Sequence, residues 1–196
     1  MDQALYRVDV ASSLLSGARQ VISPHCDDRP PDMGIELLVI HGISLPPGQF
    51  GGRWIEDFFL GRLPADGHPY FAGIVAQRVS AHLLIRRDGE VLQFVPFHRR
   101  AWHAGVSSFE GQAGCNDYSI GIELEGCDDI PYADRQYAVL GSITCALMQT
   151  YPDINPARIV GHSDIAPGRK TDPGPAFDWT RYRNQIDQAE AVKFRD

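Results

Sequence analysis

Three polar residues stand where the hydrophobic pattern of the chain does not require them. His41 and His162 each follow a short apolar run that is typical of a buried strand, and Glu123 interrupts a third such run. Strand ends that lie at the same edge of a sheet can meet in one cleft. The three side chains could therefore share one site. Imidazole and carboxylate groups can bind a metal ion or transfer protons there.

The segment after His162 is dense in polar groups. Residues 163–175 are so rich in Pro and Gly that turns, not regular structure, must shape their backbone. They present Arg169, Lys170 and Asp172 within ten residues of His162. Two imidazoles and one carboxylate form the donor set of a catalytic zinc site, in which a fourth position is left for water. A metal site is one interpretation that the pattern allows.

The other interpretation is structural. A histidine at a strand end is usually only hydrogen-bonded, Glu123 could belong to an ion pair, and Arg169 and Lys170 could lie in a solvated turn. His82 and His103 also compete as ligands, because spacing alone does not choose among the seven histidines of the chain. The pattern leaves both interpretations open.

The elements that must position these residues can be predicted from periodicity and turn signals. Strands are expected at residues 35–40, 79–85, 91–94, 119–124 and 158–161, with a hairpin turn at Asp88-Gly89 between the second and the third. Helices are expected at residues 54–59, 137–151 and, with Asp178 as the N-cap, 178–186, whereas residues 1–34 are typical of irregular loop. This order predicts an α/β (α+β) fold, a single domain over residues 1–196 in which helices flank a mixed β-sheet.

Composition limits the possible partners. The chain has 196 residues, of which 43% are hydrophobic and 22% charged, as is ordinary for a soluble globular protein. Its net charge of −7 argues against duplex DNA or an anionic membrane as the main partner, because both need a basic surface. No apolar run approaches the roughly 18 residues of a membrane span. Residues 1–7 lack the features of a secretory signal, so we expect a cytoplasmic protein.

The four cysteines carry no recognisable chemistry. They are widely separated and form no CxxC pair, so free and mostly buried thiols are expected, at Cys26, Cys115, Cys127 and Cys145. None of them lies in a turn that is typical of a nucleophile. A cysteine-dependent hydrolase is therefore disfavoured.

Several segments resemble those of a known enzyme family. The stretches LLVIHGISLPPGQFGG, HPYFAGI, RVSAHLLIRRDGE, RAWHAGVSSF, CNDYSIGIELEG and GHSDIAPGRKTDPGPAFDW resemble the AmpD-type cytoplasmic N-acetylmuramoyl-L-alanine amidases. These enzymes are relatives of the phage lysozyme-type amidases and of the peptidoglycan recognition proteins. The resemblance runs from about residue 20 to residue 186, and its last two stretches are highly specific.

The resemblance implies a role for each of the residues singled out above. His41, His162 and Asp172 match the family's ligands for one zinc ion per chain, Glu123 matches its catalytic glutamate, and Lys170 matches a lysine that stabilises the transition state. The implied reaction is hydrolysis of the amide between the lactyl group of N-acetylmuramic acid and L-alanine. The implied substrate is a small, soluble 1,6-anhydro-muropeptide from cell-wall recycling in the cytoplasm. Independently of the resemblance, we expect a monomer that binds neither nucleic acid nor a membrane.

Contacts with the substrate are a separate expectation. Tyr70 and Trp102 could border the cleft and pack on a sugar, and Arg78 and Arg169 could bind substrate carboxylates. Core packing is the alternative for Trp102, and a structural ion pair is the alternative for Arg78.

Two departures from the family pattern concern the substrate and not the metal. The family often has Asn where this chain has Gly42, and relatives can carry Arg where this chain has Gly114. A side-chain contact to substrate and a partner for a peptide carboxylate are therefore expected to be missing.

Two other functions share these sequence features. A periplasmic amidase acting on intact peptidoglycan would use the same zinc residues, but we expect it to carry a signal peptide. A recognition module that binds muramyl peptide without cutting it typically lacks a complete ligand set, whereas His41, His162 and Asp172 are all present here.

Overall fold

Twelve strands and four α-helices make up the regular structure of residues 6–193, the part of the chain that this computed structural model describes, with side chains to residue 188. The strands are β1 (Val8–Asp9), β2 (Leu14–Leu15), β3 (Arg19–Gln20), β4 (Cys26–Asp28), β5 (Leu37–Ile43), β6 (Leu83–Ile85), β7 (Val91–Gln93), β8 (Arg99–Ala101), β9 (Ser108–Phe109), β10 (Gln112–Ala113), β11 (Ser119–Glu125) and β12 (Ile159–Gly161). The helices are α1 (Trp54–Phe59), α2 (Asp134–Thr150), α3 (His162–Ile165) and α4 (Trp179–Lys193).

Six of the strands form one mixed sheet in the order β12-β5-β11-β6-β7-β3. The four strands from β12 to β6 run parallel, and β7 returns antiparallel to β6 through the predicted Asp88-Gly89 turn. The centre of the sheet is buried on both faces, which is why β5 begins with four consecutive apolar residues, Leu37 to Ile40, that are fully buried. The predicted mixed sheet is confirmed.

Helices α2 and α4 cover one face of this sheet. Leu38 and Ile122 project from the sheet into a core that also contains Leu140 of α2 and Tyr182 of α4. The opposite face packs against smaller clusters, one of which includes Phe58 of α1. Because the long helices lie on one side only, short helices and loops cover the other side of the central strands.

Helix α4 begins after its predicted N-cap, whereas α2 begins at Asp134, three residues before the predicted start at residue 137. The Asp178 carboxylate accepts a hydrogen bond of 2.9 Å from the Arg181 backbone N–H, which confirms it as the N-cap of α4. At the start of α2, the Gln136 side chain reaches back and accepts a hydrogen bond of 2.9 Å from the Ala133 N–H. These contacts satisfy backbone donors that the first turn of a helix leaves unpaired.

Several predicted boundaries are wrong. Residues 1–34 are not simply loop, because β1 to β4 lie among them. Each of these strands has only two or three residues, which is too short to show a period. Residues 79–82 lie outside β6, which begins at Leu83. His41 does not end its strand, since β5 pairs with β11 as far as Ile43, and His162 is the first residue of α3.

Within residues 6–193, every helix falls short of the length and hydropathy that crossing a membrane would require.

Candidate active site

The register of the sheet brings two of the predicted site residues side by side. His41 in β5 pairs directly with Glu123 in β11. Paired residues of neighbouring parallel strands point to the same face, which here is the face away from α2 and α4. On the other side of β5, Gly161 at the end of β12 pairs with Ile40, so that His162 follows at the level of His41. Three adjacent strands thus place these polar residues in one row.

Asp172 completes a cluster with the two histidines. Nδ1 of His41 lies 2.9 Å from Nδ1 of His162 and 3.2 Å from Oδ2 of Asp172. Nδ1 of His162 lies 3.1 Å from the same carboxylate oxygen. Both imidazoles are buried, and the Asp172 side chain is 16% exposed. The three side chains therefore offer one ligand atom each to a single metal position.

The distances and charges of this cluster fit a zinc ion. Two ligands of a tetrahedral zinc with bonds of ~2.0–2.1 Å lie about 3.3 Å apart, close to the separations found here. Burial lowers the pKa of His41 to about 4, so its imidazole is neutral near pH 7. Burial alone would raise the pKa of Asp172, but its close contacts with His162 and His41 outweigh burial and hold the pKa well below its usual value. A neutral imidazole and an ionised carboxylate are the forms that bind metal.

Glu123 lies beside this cluster with different electrostatics. Its side chain is buried, and its Oε2 has no hydrogen-bond partner among the described residues. Burial, and secondarily the charge of Asp172, raise the pKa of Glu123 well above its usual value, while Lys170 acts in the opposite direction. A carboxyl group with a raised pKa and a free oxygen is suited to accept a proton and to give it up again.

Turns in the segment after α3 carry Asp172 and Lys170 to the site. The Ser163 N–H donates a 3.0 Å hydrogen bond to the carbonyl of Asp172, and the Lys170 N–H donates one of 3.1 Å to Ala166. Lys170 is exposed and lines the cleft above the cluster. Arg169 also lines this cleft, but its guanidinium donates hydrogen bonds of 2.6 and 2.7 Å to the carbonyls of residues 104 and 106.

The cleft that contains Asp172 has a volume of about 620 Å³. Tyr70 lines it from a loop and is 46% exposed. Trp102 and Arg78 instead line a second hollow of about 550 Å³. Gln77 lines both spaces, so the two hollows adjoin. The predicted substrate contacts therefore fall into two neighbouring groups.

The two competing histidines lie outside the metal cluster. Nδ1 of His103 is 2.9 Å from Nε2 of His41, so His103 contacts the side of the imidazole that faces away from Asp172. His82 is buried, and its Nδ1 accepts a hydrogen bond of 3.0 Å from the Gly121 N–H. The structure thus groups His41 and His162, and neither His82 nor His103, with Asp172.

Tyr132 is a residue of the site that sequence reasoning missed. Its hydroxyl donates a 2.9 Å hydrogen bond to the carbonyl of Pro173, next to Asp172. A Cβ atom on Gly42 would overlap this hydroxyl, and a Cβ on Gly126 would overlap the ring. The departure at position 42 therefore leaves space that the Tyr132 hydroxyl fills. The two glycines were the available signal, since each allows close approach.

Gly114, the second departure, has a φ of +75°, the region that favours glycine. It offers no side chain to a substrate carboxylate, as the sequence predicts.

Comparison with known proteins shows the family to which the chain belongs. Residues 31–175 match the family model Amidase_2, described as N-acetylmuramoyl-L-alanine amidase. The chain belongs to the N-acetylmuramoyl-L-alanine amidase family and is an enzyme of this class. It is 60% identical over 169 residues to the 1,6-anhydro-N-acetylmuramyl-L-alanine amidase AmpD of Escherichia coli K12, which covers 86% of this chain and 92% of that protein.

Two solved structures are also similar. A crystal structure of a selenomethionine AmpD derivative superimposes with a TM-score of 0.87 at 58% identity, covering 89% of this chain and 97% of that one. The amidase AmiD from Escherichia coli, in complex with the substrate anhydro-N-acetylmuramic acid-L-Ala-D-γ-Glu-L-Lys, superimposes with a TM-score of 0.57 at 31% identity. That match covers 80% of this chain and 60% of AmiD.

Proposed function

We propose that this chain is a zinc-dependent amidase that hydrolyses the amide between the lactyl group of 1,6-anhydro-N-acetylmuramic acid and L-alanine in soluble muropeptides. The observation that carries the proposal is the row of His41, Glu123 and His162, with Asp172 beside it. The similarity to AmpD over 92% of that protein supports the anhydro-muropeptide as substrate. The AmiD complex supports it as well, since the ligand there is an anhydro-muramyl peptide.

The metal site of this proposal consists of His41, His162 and Asp172, which would hold one zinc ion per chain. Zinc in such a donor set acts as a Lewis acid that acidifies water and polarises an amide carbonyl. The three ligands sum to a charge of −1, so a dication gives a locally cationic site on a chain whose net charge is −7.

Glu123 is the proposed acid–base group. Its unpartnered oxygen takes a proton from the attacking water as the new C–O bond forms at the carbonyl carbon. The same carboxyl then delivers that proton to the alanine nitrogen as the C–N bond breaks, which releases the lactyl acid and the free peptide amine. Proton transfer by a positioned group of this kind contributes typically ~10²–10⁴-fold in rate.

Lys170 is the proposed oxyanion partner. Its exposed ammonium group lines the cleft next to Asp172 and would face the negative charge that develops on the carbonyl oxygen. Removing a comparable donor costs other enzymes about 3 kcal/mol of transition-state stabilisation. Because the charge appears only during the reaction, Lys170 would act on the rate more than on substrate affinity.

The adjoining hollows suggest how the substrate lies. Tyr70 and Arg169 border the cleft with the metal cluster, and Trp102 and Arg78 line the hollow beyond Gln77. We propose that the substrate extends across both, with a sugar packed on Trp102 and a carboxylate bound by the exposed Arg78.

The setting of the enzyme is a further part of the proposal. Residues 1–196 form one catalytic domain with its core at about residues 20–186, and the family match lies within that core. The protein acts as a monomer in the cytoplasm during cell-wall recycling, on a small soluble substrate and without a nucleic acid or membrane partner.

The test is incubation of the protein with anhydro-muramyl-tripeptide and, separately, with intact sacculi, each with and without a zinc chelator. Mass spectrometry measures the free tripeptide. We expect chelator-sensitive release from the soluble muropeptide alone. Release from sacculi as well would indicate an enzyme that remodels the wall, and binding of the muropeptide without release would indicate a recognition module.

A further inference from the structure

The Nε2 atoms of both proposed histidine ligands contact two consecutive residues of one loop. Nε2 of His41 lies 2.9 Å from Nδ1 of His103, and Nε2 of His162 lies 3.1 Å from the carbonyl oxygen of Ala104. The loop is itself held by the Asn116 side chain, whose Oδ1 accepts hydrogen bonds of 3.1 and 2.8 Å from the N–H groups of these two residues. One short segment therefore contacts two ligands that are 121 residues apart.

The hydrogen bonds behind His41 determine which nitrogen carries its proton. The Ser119 hydroxyl donates to the carbonyl of Cys115 at 2.5 Å, so its oxygen is left to accept from Nε2–H of His103 at 3.2 Å. Nδ1 of neutral His103 is then an acceptor, and His41 must donate from Nε2–H. The lone pair of His41 is left on Nδ1, the atom that faces the metal cluster.

The same logic applies to His162. A carbonyl oxygen can only accept, so Nε2–H of His162 donates to Ala104 and its Nδ1 keeps the lone pair. Both Nδ1 atoms and Oδ2 of Asp172 are thus acceptors that face one another at 2.9 to 3.2 Å. Acceptors at this distance repel one another unless a cation lies among them.

We propose that His103 and Ala104, anchored by Asn116, are positioning residues that hold both histidine ligands with Nδ1 directed at the metal. This inference rests on the metal site of the proposed function and names the part of the chain that preorganises it. Partners behind a metal-bound histidine set its tautomer and ring orientation, and their loss typically weakens metal affinity ~10–100-fold. His103 would thus act through His41, without touching the substrate.

Substitutions at His103 test the proposal through zinc affinity, measured by competition with a chromogenic chelator. His103→Phe keeps an aromatic ring over Gly121, on which the imidazole packs, but removes the acceptor for His41. We expect its zinc affinity to fall about 10–100-fold. His103→Asn, whose Oδ1 lies near the position of Nδ1, should recover part of the loss.

Two controls separate positioning from general damage. His82→Asn changes a buried histidine whose ring packs against His103 but which contacts neither ligand. It should lower thermal stability and leave zinc affinity close to wild type, because His103 keeps its hydrogen bonds to His41 and Ser119. Asn116→Asp keeps the acceptor oxygen for the loop and should retain affinity, whereas Asn116→Ala should weaken it. Unchanged affinity in both His103→Phe and Asn116→Ala would overturn the inference.

A spectroscopic measurement tests the inference without any variant. Long-range ¹H–¹⁵N correlation spectra of the zinc-loaded wild type should show His41, His162 and His103 each protonated at Nε2. Zinc bound through Nε2 of His41, or a proton on Nδ1 of His103, would overturn the inference while leaving the amidase proposal intact. A wild-type chain that takes up no zinc would overturn both.

Discussion

Burial suits Glu123 to the proton transfer that we propose for it. The side chain pairs in register with His41, has one unpartnered oxygen and has a pKa raised by desolvation. A carboxylate in this environment is poorly solvated, which favours uptake of a proton from a nearby water. Burial in the sheet thus has the largest effect on the pKa of Glu123, while the charges of Asp172 and Lys170 have smaller and opposite effects.

Glu123→Gln tests this role. The amide keeps the shape of the side chain but neither takes up nor delivers a proton, so kcat should fall ~10²–10⁴-fold. Zinc content should stay at the wild-type level, because Glu123 lies outside the ligand cluster. Steady-state hydrolysis of the muropeptide and elemental analysis of the same sample provide both readouts. A variant that loses its zinc would place Glu123 among the ligands instead.

Lys170→Ala tests stabilisation of the oxyanion. Since the positive charge is needed only when negative charge develops, kcat should fall roughly 10²-fold or more while KM changes little. Lys170→Arg, which keeps the charge, should retain more activity and serves as the control. A change confined to KM would show that the side chain binds the ground state of the substrate.

The position of the turn segment that carries Asp172 depends on contacts with residues outside that segment. Residues 166–175 have few internal constraints apart from their turns, and Tyr132 holds them by its hydrogen bond to Pro173. The tyrosine ring is fixed in turn by the close approach of Gly42 and Gly126. The geometry of one ligand is therefore set by a residue that precedes α2.

Tyr132→Phe tests this arrangement. Loss of the 2.9 Å hydrogen bond to Pro173 should cost about 1 kcal/mol of stability and weaken zinc binding, because the segment that carries Asp172 loses an anchor. Tyr137→Phe is the matched control: its hydroxyl also bonds the backbone, accepting from the Asp178 N–H at 2.8 Å, but lies away from the metal cluster. It should reduce stability without changing zinc affinity. Equal zinc affinities in the two variants would contradict the role of Tyr132.

Sequence predicts the elements in proportion to their length and regularity. β11 alternates clearly, and α2 carries a full apolar stripe, so both can be recognised from their own residues. The strands of two residues cannot, because their pairing depends on distant partners such as Gln93 for Gln20. For the same reason no local pattern shows that His103 lies behind His41 while His82 lies elsewhere.

At the scale of the whole molecule, an acidic protein buries several neutral histidines close together around the site. Burial lowers the pKa of His41 to about 4 and that of His82 to about 3, and also places the pKa of His103 well below its usual value. In the unfolded chain each would titrate near pH 6.5. The folded metal-free protein therefore excludes protons that the unfolded chain binds.

This difference predicts how stability depends on pH. Between pH 6.5 and about 4 the unfolded state binds more protons, so the free energy of unfolding of the metal-free protein should fall as the pH is lowered. Each excluded proton contributes a slope of about 1.4 kcal/mol per pH unit, and His82→Asn should reduce the total slope by removing one of them. Urea unfolding at a series of pH values measures how the free energy of unfolding changes with pH. A free energy that stays constant over this range would contradict buried neutral histidines.

The central claim is that His41 in β5, His162 at the start of α3 and Asp172 in the turn segment that follows hold a single zinc ion, with Glu123 beside them and not among them. The most direct measurement is the zinc content per chain of wild type, Asp172→Ala and Glu123→Gln after dialysis against limiting zinc. We predict one zinc per chain in wild type and Glu123→Gln, and far less than one in Asp172→Ala. A full complement of zinc in Asp172→Ala would contradict the account.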